Sequence, residues 1–241
     1  MKSTNFIKVL TINFLTIALF LTSCKKAEDI IESVSEEEAV EVVENALSSE
    51  AGGLAGQIEQ STAIVTASTS SKNDYCGMSF DSVITIVNPA ETVITYHYNL
   101  EWDWIVNCNQ FQIPESFVFT CEMGGGYDAP RMSANDAASV SFELSGLDLS
   151  SDLISFNGGF EREGTCQSKI GEKRSFSSKI ILEAIDVKVE KATGKLMSGT
   201  ADLMLEAKTS EGKTFSFDGV ITFTGGDSAT LKFENEYEIQ L

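Results

Sequence analysis

The chain is short of basic residues, of histidine and of closely spaced cysteines, and each shortage removes a class of function. Its 241 residues carry 17 Lys and Arg against 36 Asp and Glu, for a net charge of −19. So acidic a chain does not suit nucleic acid, whose phosphates need Lys and Arg contacts. It does not dock by charge on an anionic membrane face either. One histidine and five cysteines without a CxxC-type pair leave no zinc ligand set, and no metal or other cofactor is expected. A serine hydrolase triad would rest on His97 alone. The GxSxG elbow, the P-loop, the dinucleotide fingerprint and HExxH are all missing. Paired carboxylates abound in such a chain and carry no information without geometry. Long apolar runs are lacking too. Val9–Leu21 is interrupted by Asn13 and threonines and is shorter than the roughly 20 residues of a spanning helix. Nothing here argues for an enzyme.

What is present begins at the amino terminus. Lys2 and Lys8 precede the apolar run, and Leu21-Thr22-Ser23-Cys24 follows it. A positive end, an apolar middle and a small-residue site are the order of a secretory signal. The final cysteine makes residues 1–24 resemble the signal peptide and lipobox of bacterial lipoprotein precursors. An ordinary secretory signal with a chance cysteine is the rival reading. The resemblance implies cleavage of residues 1–23, acylation of Cys24, with palmitate among the chains attached, and a mature chain that is lipid-anchored in the cell envelope. Removing Lys2 and Lys8 leaves 15 basic against 36 acidic side chains, a net charge of −21. Lys25 after the cysteine resembles the pattern that sends such proteins to the outer membrane. Glu28-Asp29 resembles the acidic surface-export signal of Bacteroidetes lipoproteins, which leaves a periplasmic or a surface-facing placement open.

Without Cys24, four cysteines remain: Cys76, Cys108, Cys121 and Cys166. An even number in an exported chain predicts two disulfides, with three possible pairings.

Residues 24–33 read as a tether and 34–66 as a helical segment. Ser35 and Glu38 form a capping box with Val34 and Ala39 at the staple positions. Ala39, Val40, Val43, Ala46 and Leu47 repeat at helical spacing, with Glu37, Glu41 and Glu44 elsewhere on the wheel. Gly52-Gly53 is expected to end this helix, with a weaker one over Leu54–Val65 and a polar loop over Ser68–Asp74.

From Phe80 the period changes to two. Ile94, Tyr96, Tyr98, Leu100, Trp102, Trp104 and Val106 fall on one face; Thr95, His97, Asn99, Glu101 and Asp103 fall on the other. Asn88-Pro89 predicts a turn back to a partner strand over Phe80–Val87. Phe117–Cys121 is the next strand, and Gly124-Gly125-Gly126 is expected to open a loop through Arg131 to Asp136. Further rows include Val140, Phe142 and Leu144; Ile154, Phe156 and Phe160; Ile185, Val187 and Val189; and Ala201 to Ala207. A last strand is expected to carry Leu231, Phe233, Tyr237, Ile239 and Leu241. The links between the later rows are Thr193-Gly194-Lys195, Ser210-Glu211-Gly212-Lys213 and Gly225-Gly226-Asp227-Ser228, and links this short join antiparallel neighbours. The expected fold for 67–241 is therefore mostly β, an antiparallel meander with an amino-terminal amphipathic helix. It could close as a barrel, curl over the helix as a half-barrel, or split into a sandwich.

Candidate ligand-binding residues are few. Tyr96, Tyr98, Trp102 and Trp104 form an aromatic row, either core or a platform for sugar rings. His97 shares a face with Glu101 and could hold a cation or relay a proton. Arg131 lies between Asp128 and Asp136, where it pins a loop or meets a substrate. These features fit a non-enzymatic binding or scaffold module whose partner is an unknown protein, glycan or apolar ligand. The alternatives are a half-barrel carrier of an apolar molecule and a glycan-binding or glycan-active surface lipoprotein, which needs Trp102 and Trp104 exposed.

Overall fold

The computed structural model describes residues 33–70, 76–87, 92–148 and 150–241. The signal segment, Cys24, the tether up to residue 32 and the Asn88-Pro89 turn lie outside the described residues. Among the described residues two helices come first, α1 (Glu36–Leu47) and α2 (Leu54–Ser70), joined by the short 3-10 turn Ser49–Ala51. Ten strands follow: β1 (Ser79–Val87), β2 (Thr95–Cys108), β3 (Pro114–Asp128), β4 (Met132–Ser145), β5 (Leu153–Ser168), β6 (Ser175–Glu190), β7 (Leu196–Thr209), β8 (Thr214–Phe223), β9 (Ser228–Lys232) and β10 (Glu236–Gln240). They form one antiparallel sheet in chain order, as the short links require. Among the described residues β1 and β10 each have one neighbour, so the sheet is open and single, neither a closed barrel nor a sandwich.

The sheet curls around the helices. Ile94, just before β2, and Leu241, just after β10, line one cleft of about 310 Å³ beside α1. The concave face is filled. Val43, Ala46, Leu47, Leu54 and Ile58 from the helices are fully buried, as are Phe117, Phe119, Phe156, Phe160 and Leu205 from the strands. The aromatic row belongs to this inner face, with Tyr98, Leu100 and Val106 buried and Tyr96, Trp102 and Trp104 half-buried.

Helix α1 starts where its capping box lies. The Ser35 side chain accepts from the Glu38 N–H at 3.2 Å, and the Glu38 carboxylate accepts from the Ser35 N–H at 3.0 Å. Its acids then serve a second purpose. Glu36 accepts from the Tyr237 hydroxyl of β10 at 2.9 Å. Glu37 and Glu41 both pair with Arg131 in the β3–β4 turn. Glu38 lies 3.8 Å from Arg174, just before β6. One helix end thus grips three separate parts of the sheet. This is why Glu38 and Glu41 are buried, although the wheel alone places Glu41 away from the apolar positions. The helix stops at Leu47, earlier than expected, and Gly52, at φ 66°, supplies the left-handed turn before α2. The second helix runs on to Ser70, past the start of the expected loop.

Three other expectations are corrected. The glycine run opens no loop: Gly124, Gly125 and Gly126 lie inside β3, and only Ala129–Arg131 turn the chain. A Cβ on Gly125 would sit 2.0 Å from the His97 carbonyl oxygen, and one on Gly126 would sit 2.4 Å from that of Ala134. The glycines are there because neighbouring backbone passes too close, a strand use of glycine and not a turn use. The last strand is two, since Phe233–Asn235 form a turn closed by the Phe233 N–H donating to the Asn235 carbonyl at 2.9 Å. Ile185 faces outward, 44 % exposed, because a bulge at Asp186 (φ 49°) shifts the parity of β6.

The glycines separate by test. Gly125→Ala is expected to lower the unfolding free energy by about 3 kcal/mol or more. Gly124→Ala, with nothing within 4 Å of its new methyl, is expected to change it by no more than about 1 kcal/mol, and upward. Urea denaturation of the two variants measures the difference.

Candidate functional site

Two sets of polar residues stand out, one on each face of the sheet. The outer set follows from register. His97 pairs with Gly126, Gly126 with Asn135, Asn135 with Thr165, Thr165 with Ser177, Ser177 with Lys208, and Lys208 with Thr214. Residues directly opposite one another share a face. The outcome is a straight row across seven strands, six hydrogen-bonding side chains with one glycine among them. The next row is Asn99, Gly124, Ala137, Glu163, Lys179 and Glu206.

Small residues in these rows leave hollows. One of about 600 Å³ is lined by Ala137, Thr165, Ser177, Lys179, Glu206 and Lys208. A second of about 380 Å³ is lined by Thr95, His97, Asn135, Thr165, Gln167 and Ser175. Thr165 belongs to both, so the two form one trough. Its middle presents hydroxyl and amide groups that both donate and accept. Charged residues flank it on both sides, with Glu163, Lys179, Glu206 and Lys208 around the larger hollow and Asp128 beside the smaller; Lys179 pairs with Glu161 at 2.6 Å.

The inner set is a closed cluster. Arg162, on β5, donates to the carbonyl oxygens of Asn45 at 3.1 Å, Ala51 at 3.2 Å and Gly52 at 2.9 Å. Those are the orphan carbonyls at the end of α1 and of the turn after it, where the helix dipole also favours a cation. Its guanidinium stands over the rings of Tyr98, Tyr127 and Phe160, between 5.3 and 5.9 Å from their centroids. Asp136 on β4 supplies the counter-charge, with its Oδ1 3.9 Å from Arg162 Nε. Asp136 pairs across to Gly125 on one side and Gly164 on the other, and these two glycines clear its space. Burial raises the Asp136 carboxyl above the usual range, against the charge of Arg162 and the hydroxyl of Tyr98. Burial also raises the phenols of Tyr98 and Tyr127. Tyr98, Arg162 and Cys166 are each 5 % exposed or less, so the cluster belongs to the interior.

The expected site residues fall in different places. His97 and Glu101 share the outer face but stand four strand positions apart, about 13 Å, so they are not brought together. Among the described residues no group of three or more His, Cys, Asp or Glu is arranged to hold a metal. Arg131 pins its turn, to helix glutamates and not to its flanking aspartates; Asp128 pairs with Lys169. Trp104 stacks with Phe80 at 4.2 Å and with Phe117 at 5.2 Å, while Trp102 packs against Phe119. Asp136, expected only as a loop residue flanking Arg131, and Arg162, Thr165 and Ser177 are not among the expected site residues. A signal for the first two was present, since Arg162 and Asp136 continue the inward parity of Phe156–Phe160 and of Val140–Leu144.

Of the two expected disulfides the structure contains one, Cys76–Cys108, with Cα atoms 5.4 Å apart. Cys121 and Cys166 are free and buried. Cys121 pairs with Val140, and Val140 with Phe160. Cys166 lies six residues further along β5, about 20 Å away, well beyond bonding distance.

With this geometry in hand, comparison with family models, curated proteins and solved structures finds no match for the chain.

Two outcomes are expected. Arg162→Met lowers the unfolding free energy by about 3–5 kcal/mol, because Asp136 is left buried and uncompensated; urea titration measures it. Burial pushes the Cys121 thiol up to about 12 and the Cys166 thiol up to about 11. Neither thiol is therefore expected to react with Ellman's reagent at pH 8 in the folded chain, and both react in guanidinium.

Proposed function

We propose that this is a lipid-anchored cell-envelope protein whose β domain is a non-enzymatic binding module working through its outer sheet face. The Leu21-Thr22-Ser23-Cys24 motif supports the anchor. The Cys76–Cys108 disulfide supports an oxidising compartment. One observation carries the outer-face reading: the concave side is filled by α1 and α2, whereas the convex side carries an unfilled polar trough of about 600 Å³ continuing past His97. A carrier of apolar molecules would use the inner face, which the helices occupy. The hydroxyl and amide groups of Asn135, Thr165, Ser177, Gln167 and Ser175 in the middle of the trough suit a ligand rich in hydroxyl groups, such as a glycan chain, held by side-chain hydrogen bonds in place of aromatic stacking.

Two measurements test the reading. Cells fed a labelled fatty acid are expected to label the wild-type chain and not Cys24→Ala; an unlabelled wild type removes the anchor. Titration of a panel of neutral oligosaccharides is expected to find a ligand whose affinity falls at least tenfold in Ala137→Trp, at unchanged melting temperature. Unchanged affinity in that variant moves the binding surface elsewhere.

A further inference from the structure

Of the chain's 18 glycines, Gly124 is the one that the fold does not require. Every other glycine either has a positive φ or would place its Cβ 3.4 Å or less from a neighbouring atom. Gly124 has neither reason. It lies inside β3 without a positive φ, and a Cβ there would meet nothing within 4 Å. Glycine in a strand interior weakens the strand, through backbone entropy and a missing side chain. Gly125 and Gly126 are explained by the backbone that passes them; Gly124 is not. Where neither dihedral nor packing asks for glycine, its remaining use in a strand is the close approach of a ligand to the backbone.

A second observation falls at the same place. Gly124 faces outward at the margin of the trough, paired with Asn99 on β2 and with Ala137 on β4. Ala137 pairs in turn with Glu163 on β5, and both line the larger hollow. Gly124 and Ala137 therefore make a floor of nearly bare backbone that Asn99 and Glu163 bound on either side. Those two stand three strand spacings apart, about 14 Å. The Thr85 hydroxyl donates to Asn99 Oδ1 at 2.8 Å, which leaves the Asn99 amide N–H groups to donate elsewhere, while the Glu163 carboxylate accepts. Such a slot takes a ring with an apolar face and hydrogen-bonding groups around its rim.

Resting on the outer-face reading above, we propose that Gly124 is the floor for one sugar ring of a neutral glycan, an extended chain of β-1,4-linked hexopyranose rings that crosses the strands from β3 towards β6. Such a ring carries equatorial hydroxyls around its edge and C–H groups on its two faces. Laid flat on Gly124 and Ala137, it turns hydroxyls towards Asn99 and Glu163. Successive rings of an extended chain advance by close to one strand spacing, about 4.8 Å. The next rings then lie over Thr165 and Ser177, which line the larger hollow. Glu163, and Glu122 two positions before Gly124 on the same face of β3, accept from hydroxyls and repel acidic sugars. Any side chain at position 124 stands where the first ring lies.

Calorimetric titration of the full chain with cellotetraose and with maltotetraose tests this, since the two share one sugar and one length but differ in a straight β or a curved α linkage. Cellotetraose is expected to bind, and maltotetraose to bind about tenfold more weakly or not at all. Gly124→Val is expected to lower the affinity for cellotetraose about tenfold or more, at a melting temperature equal to or above that of the wild type, because a β-branched residue suits a strand. Ser141→Val, on the same outer face four positions from Ala137 and about 13 Å away, is expected to leave the affinity unchanged. Unchanged affinity in Gly124→Val while Ala137→Trp loses binding overturns this role of Gly124 and leaves the outer-face reading standing. A lowered melting temperature in Gly124→Val also overturns it, since the fold then requires the glycine. Failure of cellotetraose to bind, where another oligosaccharide does, overturns the ligand class. Unchanged affinity in both Gly124→Val and Ala137→Trp removes the outer-face reading as well.

Discussion

The structure depends on one buried cation. Arg162 leaves the sheet, crosses the interior and ends on three backbone carbonyls at the corner between the two helices. An amphipathic helix lying on a sheet by apolar contact alone is free to slide, because hydrophobic attraction has no direction. Hydrogen bonds from a charged group do have direction, and each is worth about 1.5–3 kcal/mol. The guanidinium therefore sets where the α1–α2 corner sits against β5. The cost of its desolvation is met by Asp136, by the helix-end dipole and by the faces of Tyr98, Tyr127 and Phe160.

The same arginine accounts for features that look unrelated. Asp136 needs room on the inner face, and it has glycine on both neighbouring strands, Gly125 and Gly164. Tyr98 must reach over Gly125 to meet Asp136 and Arg162, and its ring also touches Gly52, where a Cβ would lie 3.0 Å from it. The acids at the start of α1 repeat the logic at the other end of that helix. Glu36, Glu37, Glu38 and Glu41 take partners from β10, the β3–β4 turn and the residue before β6. The excess of acid in this chain is thus partly internal bracing, and the rest is a polar exterior.

With the helices in the concavity, the convex face and the sheet edges are the surfaces left open, and the proposed binding role is argued from the first of them. That face carries the polar trough, which is separate from the cluster that maintains the fold. The convex row from His97 to Thr214 can change in sequence without disturbing the Arg162 network, since successive residues on a strand point to opposite faces.

Period and linkage alone determined the class of fold. Alternation over six long segments, with links of a few residues, leaves an antiparallel meander as the only economical solution, and Ser35 with Glu38 marked the start of α1. Those signals are local, so the sequence carries them in the open. The closure of the sheet, the pairing of the cysteines and the meaning of the glycine run were decided only by tertiary structure. Each depends on which residues of distant strands lie side by side. Gly125 reads as a loop residue until the His97 carbonyl is seen 2.0 Å from where its side chain would be. Cys121 and Cys166 read as a pair until register sets them about 20 Å apart. Arg162 and Asp136 show the boundary between the two kinds of information. Their inward parity was readable from spacing, but the carbonyls that receive the arginine belong to a helix end more than a hundred residues away.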